Sequence, residues 1–258
     1  MMMEILDEVK KDFVKDILKK GRRPDERAFE EYRPVTVEKM AIPAAEGSAR
    51  VRLGRSQVLV GVKMGVGTPF ADRPDEGVLA TNAELLPMAS PSFEPGPPSP
   101  ESIELARVVD RGIRSANTID LKSLVIETGK VWMTFVDIYV LDHDGNLIDA
   151  AALAAAAALR CARMPKFEDG KIVYGEYSGP LKLGADCVAC TFAKIDSNLL
   201  LDPSFDEEKA MDARLTISTT AKHVAAMQKG GSGGFKREEI SQMIDTAFRK
   251  GAELRSLI

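Results

Sequence analysis

Cysteine is scarce here, three residues in 258. An odd, scattered set builds no disulfide framework, which excludes the small secreted scaffolds. Aromatic residues make up only 6% of the chain, which argues against base-stacking platforms. Charge of one sign is not in excess either. Thirty-five basic residues face 39 acidic ones, a net charge of −4, so bulk charge does not wrap this chain in nucleic acid. Any anion site has to be a local patch. Long apolar runs are missing: the longest, Ala150 to Leu159, is about half of what spans a bilayer. The start, MMMEILDEVKKDF, carries acids and no signal-peptide layout, so a cytoplasmic protein without a membrane partner is expected.

What is present is a 45% hydrophobic chain long enough for one sizeable core. The expectation is a single domain over residues 1–258, with an N-terminal helix in 1–20 and a C-terminal helix in 235–258. In the first, Leu6, Val9, Phe13, Ile17 and Leu18 form an apolar stripe that Gly21 ends. GRRPDER follows as a polar turn. ARVRLGRSQVLVGVKM reads as a hairpin turning at Gly54-Arg55-Ser56, with Val51, Leu53, Val58 and Val60 in its strands. Residues 65–100 read as long and irregular, ending in PSFEPGPPSP. A helix over Ser102 to Ala116 has a capped start at Ser99-Pro-Glu-Ser.

Val131 to Leu141, apolar on both faces, reads as a central strand, and an alanine-rich helix follows. Short strands around GEYSGP and DSN come next. GGSGG then leads to a helix with Ile240, Met243, Ile244, Ala247 and Phe248 on one face. The mixture is α+β.

LDHDGNLIDAA raises the first chemical question. A helix start with free N–H groups is a natural anion site. Against that, Asn146 can cap this helix with Asp149 as its capping-box partner. Asp149 would then sit where an anion would go, so the chemistry points to a structural turn.

Cys187-Val-Ala-Cys190 has zinc-knuckle spacing but lies in a strand pattern without a second pair, so buried structural thiols are expected. Lys229-Gly-Gly-Ser-Gly-Gly lacks Walker spacing and reads as a flexible turn. His143 and His223 read as surface or structural residues. Asp202, Asp206, Glu207, Glu208 and Asp212 suit metal ligation or a general acid, but read first as a solvated, capped turn. Arg107, Arg111 and Arg114 fall at i, i+4 and i+7, on one helical stripe. Two readings stay open: a phosphate-backbone contact, or a solvated face paired with Glu104 and Asp110.

GRRPDER, GSARVRLGRSQVLVGV, VWMTFVDIYVLDHDGNLIDAAALAAAAALRCARMP, ARLTISTT and AAMQKGGSGG together resemble the RNase PH family over nearly the whole chain. Within it, they are most similar to the non-catalytic RNase-PH-like subunit of the archaeal exosome ring. The resemblance implies an RNase PH-like (ribosomal protein S5 domain 2-like) fold, with mixed sheets packed against central and C-terminal helices. It implies phosphorolysis, in which orthophosphate attacks the last phosphodiester of an RNA 3′ end and nucleoside diphosphate leaves.

Three departures fall at that chemistry. Asn146, Leu147 and Ile148 stand where the family has a phosphate-gripping Gly-Ser/Thr-Arg run. Asp202-Pro203-Ser204 stands for the acidic segment. SFEPGPPSP stands for an arginine-bearing loop. The resemblance therefore implies no catalytic residue, no metal and no cofactor in this chain. The implied role is a scaffold that structures the active site of a catalytic sibling. The alternative is an active phosphorolytic exoribonuclease with a rearranged site, using Asp202, Asp206 or Asp212 as the acid. Implied partners are that sibling, in three heterodimers forming a hexameric ring, RNA-binding cap subunits, and single-stranded RNA. The resemblance favours Arg107 and Arg111, then Arg114, as RNA contacts.

Overall fold

The computed structural model describes residues 2–258, with side chains from Glu8 onward. Among them run α1 (Met2–Leu18), β1 (Val35–Lys39), β2 (Gly47–Leu53), β3 (Ser56–Gly67), β4 (Val78–Leu85), α2 (Pro100–Ser115), β5 (Val125–Glu127) and β6 (Lys130–Asp142). The second half continues with α3 (Leu147–Arg160), β7 (Arg163–Glu168), β8 (Lys171–Pro180), β9 (Val188–Ile195), β10 (Asn198–Leu201), α4 (Phe205–Ala210), β11 (Ala213–Thr219), β12 (Val224–Gly231) and α5 (Arg237–Arg255). The fold is α+β.

One sheet has the order β1-β2-β3-β6-β4, with β5 also on β6, and a second has the order β10-β9-β11-β12. The expected hairpin is β2–β3, joined through Gly54 and Arg55, with Val51, Leu53, Val58 and Val60 all buried. The strand expected to be central, β6, lies between antiparallel β3 and parallel β4.

The alanine helix α3 is the hub of the core. It packs on β2 and β3 on one side and β9 on the other, with α2 alongside. Every residue from Leu153 to Leu159 is buried. A helix covered on all sides needs short side chains, and alanine adds the best intrinsic helix propensity. One continuous hydrophobic cluster joins residues of both sheets, α2, α3 and α5. Ser99 caps α2 as expected, its hydroxyl accepting from the Ser102 N–H at 3.2 Å.

Four expectations need correction. Residues 65–100 are not irregular throughout: β3 runs to Gly67, and Val78–Leu85 forms β4. Thr81, Asn82 and Glu84 hid this strand by breaking the apolar alternation. GEYSGP is not a turn but lies inside β8; the ribbon turns at Asp169 and Gly170, and register slips at Pro165 absorb the glycines. On α1, Val9 and Phe13 are exposed, while Val14 and Leu18 are buried against Ile195, Leu200 and Ala210. The inward face is turned from the expected stripe, and the side chain of Leu6 lies outside the described residues. Finally, Gly230 and Gly231 end β12 rather than forming a free turn, and α5 begins at Arg237. No helix among the described residues is long and apolar enough to cross a membrane.

The packing of α3 makes a direct prediction. Ala154→Leu overfills a site with no spare volume and should cost about 1–3 kcal/mol, read as a lowered thermal midpoint. An unchanged midpoint would mean that α3 is not clamped between the sheets.

Candidate functional site

The end of β6 and the start of α3 meet the segments around Arg23–Arg33 and Asp202–Glu208. Asp202 is fully buried and is the junction of all four. Arg33 grips it with two donors, Nε to Oδ2 at 3.0 Å and Nη2 to Oδ1 at 2.8 Å. Arg27 adds Nη1 to Oδ2 at 2.9 Å, and Asn146 adds Nδ2 to Oδ1 at 2.8 Å. Arg33 also donates to the carbonyls of Asp144 and Gly145.

Beside this sits a second fork, Arg23 Nε and Nη2 on Glu207 at 2.9 and 2.6 Å, with both side chains wholly buried. Two donors per carboxylate oxygen pair is the arrangement that makes a buried guanidinium–carboxylate contact strong.

This overturns two expectations. GRRPDER is not merely a polar turn, because Arg23 is only 1% exposed. The acidic segment is capped, as expected, by Ser204 and Glu207, but it is not solvated: Asp202 and Glu207 are buried, and their lone pairs are taken. Asp206 is the exposed exception, paired with Lys10 at 3.0 Å. Asp212 accepts from the Asp196 N–H at 2.8 Å.

The opening of α3 also differs from the sequence reading. Asn146 has left-handed backbone, φ +52, and makes no side-chain cap. Asp149 does not occupy the anion position. It points into the core, accepting from Thr191 N–H and Oγ1 at 2.9 and 2.7 Å and from the Tyr32 hydroxyl at 2.7 Å. Burial pushes its carboxyl up to about 6, against the pull of the donors Asn146, Thr191 and Tyr32.

One of the helix-start N–H groups, that of Asn146, donates to Glu208 Oε1 at 2.9 Å. Burial pushes Glu208 up to about 7, opposed by that hydrogen bond and by Arg214 and Arg33. Gly145 completes the plug. At φ +89, a Cβ there would lie 2.5 Å from the Phe205 nitrogen, so the 203–205 backbone sits directly on the turn. Gly54 is equally tight, because a Cβ there would meet Arg33 Cδ at 2.7 Å.

Above the plug, His143 stacks on Phe93 at 5.3 Å and meets Phe205 edge-on at 5.0 Å. Burial lowers its pKa, and its Nδ1 accepts from the Gly145 N–H at 3.3 Å, so the ring is built into the turn. His223 bonds Thr220 in a surface turn. Cys187 and Cys190 are both buried, and burial pushes the Cys187 thiol up to about 12.

On α2 the picture is open. Arg107 and Arg111 are exposed, and neither has a hydrogen bond or ion pair among the described residues. Glu104 pairs with Arg214 at 2.6 Å instead. Only Arg114 fits the paired-face reading, with Nε on Asp110 at 2.7 Å and Nη2 on the Leu79 carbonyl at 2.6 Å.

Models of the 3′ exoribonuclease (RNase PH) family match this chain at residues 31–165, domain 1, and 187–250, domain 2. The chain belongs to the RNase PH family. It is 50% identical over 262 residues to exosome complex component Rrp42 of Thermococcus gammatolerans, covering 99% of this chain and 96% of that protein. The Methanosarcina acetivorans Rrp42 is also 50% identical, over 258 residues, covering 99% and 96%. A chain of the Archaeoglobus fulgidus exosome with RNA bound to the active site superposes with TM-score 0.91 at 46% identity, over 98% of each chain. The RNase PH-like fold implied by the sequence motifs is the fold observed.

Arg33, Tyr32 and the burial of Arg23 were missed in the sequence. Three arginines fall in the eleven residues 23–33, but Asp25, Glu26, Glu30 and Glu31 stand among them, so local spacing suggests local pairs and hides the long-range ones. Their partners lie 169 to 184 residues away.

Arg23→Ala leaves Glu207 buried and unpaired and should cost about 3–5 kcal/mol in urea unfolding. Arg23→Met with Glu207→Leu should recover part of that loss. Equal losses would mean that the charges are not coupled.

Glu208 also predicts a pH dependence. The folded chain holds its proton up to about pH 7 and the unfolded chain only to about 4.5, so the folded state binds more protons between. Its contribution is present below pH 4.5 and lost as pH rises through 7. Glu208→Gln keeps an acceptor for Asn146 and should remove this fall, gaining stability relative to the parent from pH 6 to 8. A parallel pair of pH profiles would contradict it.

Proposed function

We propose that this chain is a subunit of an archaeal exosome ring, part of a phosphorolytic 3′-to-5′ exoribonuclease complex, and that it performs no phosphorolysis itself. The observation carrying the second half is the filled anion position. Orthophosphate at the start of α3 would have to displace the Glu208 carboxylate from the Asn146 N–H and lift the 203–205 backbone off Gly145. Of the nearby guanidinium groups, Arg23, Arg27 and Arg33 are committed to Glu207 and Asp202, Arg55 to Asp144 and Arg214 to Glu104. In this reading, Arg107 and Arg111, with Arg114 at the end of the row, contact single-stranded RNA. The chain also structures the active site of a catalytic RNase-PH-like sibling, in three heterodimers capped by RNA-binding subunits, in the cytoplasm. The continuous core supports reading residues 1–258 as one domain.

The rival, an active exonuclease with a rearranged site, needs a free acid. Asp202 accepts from three side chains, Asp212 from a backbone N–H, and Asp206 faces Lys10 on the outside. None is placed against an open phosphate seat.

Two outcomes are expected. The purified chain with oligo(A) and phosphate releases no nucleoside diphosphate; robust release without a partner would favour the rival. In the complex assembled with the sibling, Arg107→Ala with Arg111→Ala weakens RNA binding and lowers the salt slope by about 0.7 per lost phosphate contact. Unchanged binding would leave a plain assembly role that never touches RNA.

A further inference from the structure

Where the arginine row of α2 ends, the surface folds into two adjoining cavities of about 400 and 340 Å³. Arg73, Glu76, Arg114 and Leu121 line both, so they form one cleft between the end of α2 and the loop entering β4. Its mouth carries Phe70, 61% exposed in a chain with few aromatic residues. A bare phenyl ring on a loop is free to stack. Lys122 stands at the rim, exposed and with no hydrogen bond or ion pair among the described residues.

Arg73 is 60% exposed, and its nearest carboxylates, Asp72 and Glu76, lie at 4.0 and 3.8 Å. Those separations are too long for hydrogen bonds, so its donors remain available. Arg114 belongs to both features: it closes the stripe and lines the cleft. From Arg107 to Arg114 the helix advances only about 10 Å.

We propose that this cleft seats one nucleotide of single-stranded RNA, its base stacked on Phe70 and its phosphate held by Arg73 and Lys122. The inference rests on reading α2 as an RNA path and extends that path past its last arginine. It also refines the compositional expectation: few aromatics exclude a broad stacking platform, not a single stacking ring. With Asp72, Glu76 and Asp120 on its walls against Arg73, Arg114 and Lys122, the cleft has no strong net charge. Binding there draws on stacking, which every base can supply, so little sequence preference results.

The test uses the ring assembled from this chain and its catalytic sibling, with labelled oligo(A). Phe70 is an exposed loop residue, so Phe70→Ala leaves folding intact. It should weaken binding about tenfold, with the salt slope unchanged. Phe70→Trp should restore affinity. Lys122→Ala should lower the salt slope by about 0.7. Photocrosslinking with 4-thiouridine RNA should mark the peptide containing Phe70.

If Phe70→Ala binds normally while Arg107→Ala with Arg111→Ala binds weakly, the cleft is off the path and the α2 reading stands. If all variants bind normally, the α2 reading fails as well. If Phe70→Ala impairs ring assembly but not the affinity of assembled rings, the cleft is a protein contact and this proposal is overturned.

Discussion

The buried carboxylate of Asp202 is the constraint on which this structure turns. A fully desolvated charge is tolerated only when it is paired and its lone pairs are satisfied. Arg33 and Arg27 do this from the segment before β1, and Asn146 from the turn entering α3. The result ties the segment before β1, the turn entering α3 and the acidic stretch before α4 into one knot. Arg23 and Glu207 repeat the solution beside it. Arg23, Arg33, Asp202 and Glu207 would each be a stranded buried charge without its partner, so the loss of any one strands another.

Under the proposed function, that knot also explains how a family scaffold can be kept without its chemistry. A phosphate seat needs open N–H groups at a helix start and uncommitted cations nearby. Here the helix start faces Glu208, and the cations face Asp202 and Glu207. Arg107 and Arg111, on the outer face of α2, are among the exposed guanidinium groups without a partner among the described residues. Arg23 and Arg33 are internalised beside the helix start, whereas Arg107 and Arg111 are exposed on α2. The net charge of −4 hides both arrangements.

Much of the fold was legible because it follows from local patterns. The β2–β3 hairpin shows in the alternation around Gly54, α2 in its Ser99 cap, and α3 in its alanines. What stayed hidden depends on distant partners. β4 takes its place from β6, and its polar outward residues disguise it. The face of α1 is set by the small cluster around Ile195 and Leu200, not by its own periodicity.

The site was half legible. The departures at 146–148 and 202–204 are visible in the sequence, but the group facing the helix start is Glu208 and not Asp149. Short-range spacing favours a capping box there, whereas the tertiary structure offers that carboxylate a better set of donors at Thr191 and Tyr32. Nothing local says that Glu208 will arrive instead.

The central claim is that the helix start is already occupied, and backbone amide NMR tests it most directly. The purified chain is titrated with inorganic phosphate while the Asn146 and Leu147 amides are followed. The account predicts no saturable shift at millimolar phosphate in the parent chain. A saturable shift of those two amides would contradict it, since it would show that orthophosphate takes the place assigned to Glu208.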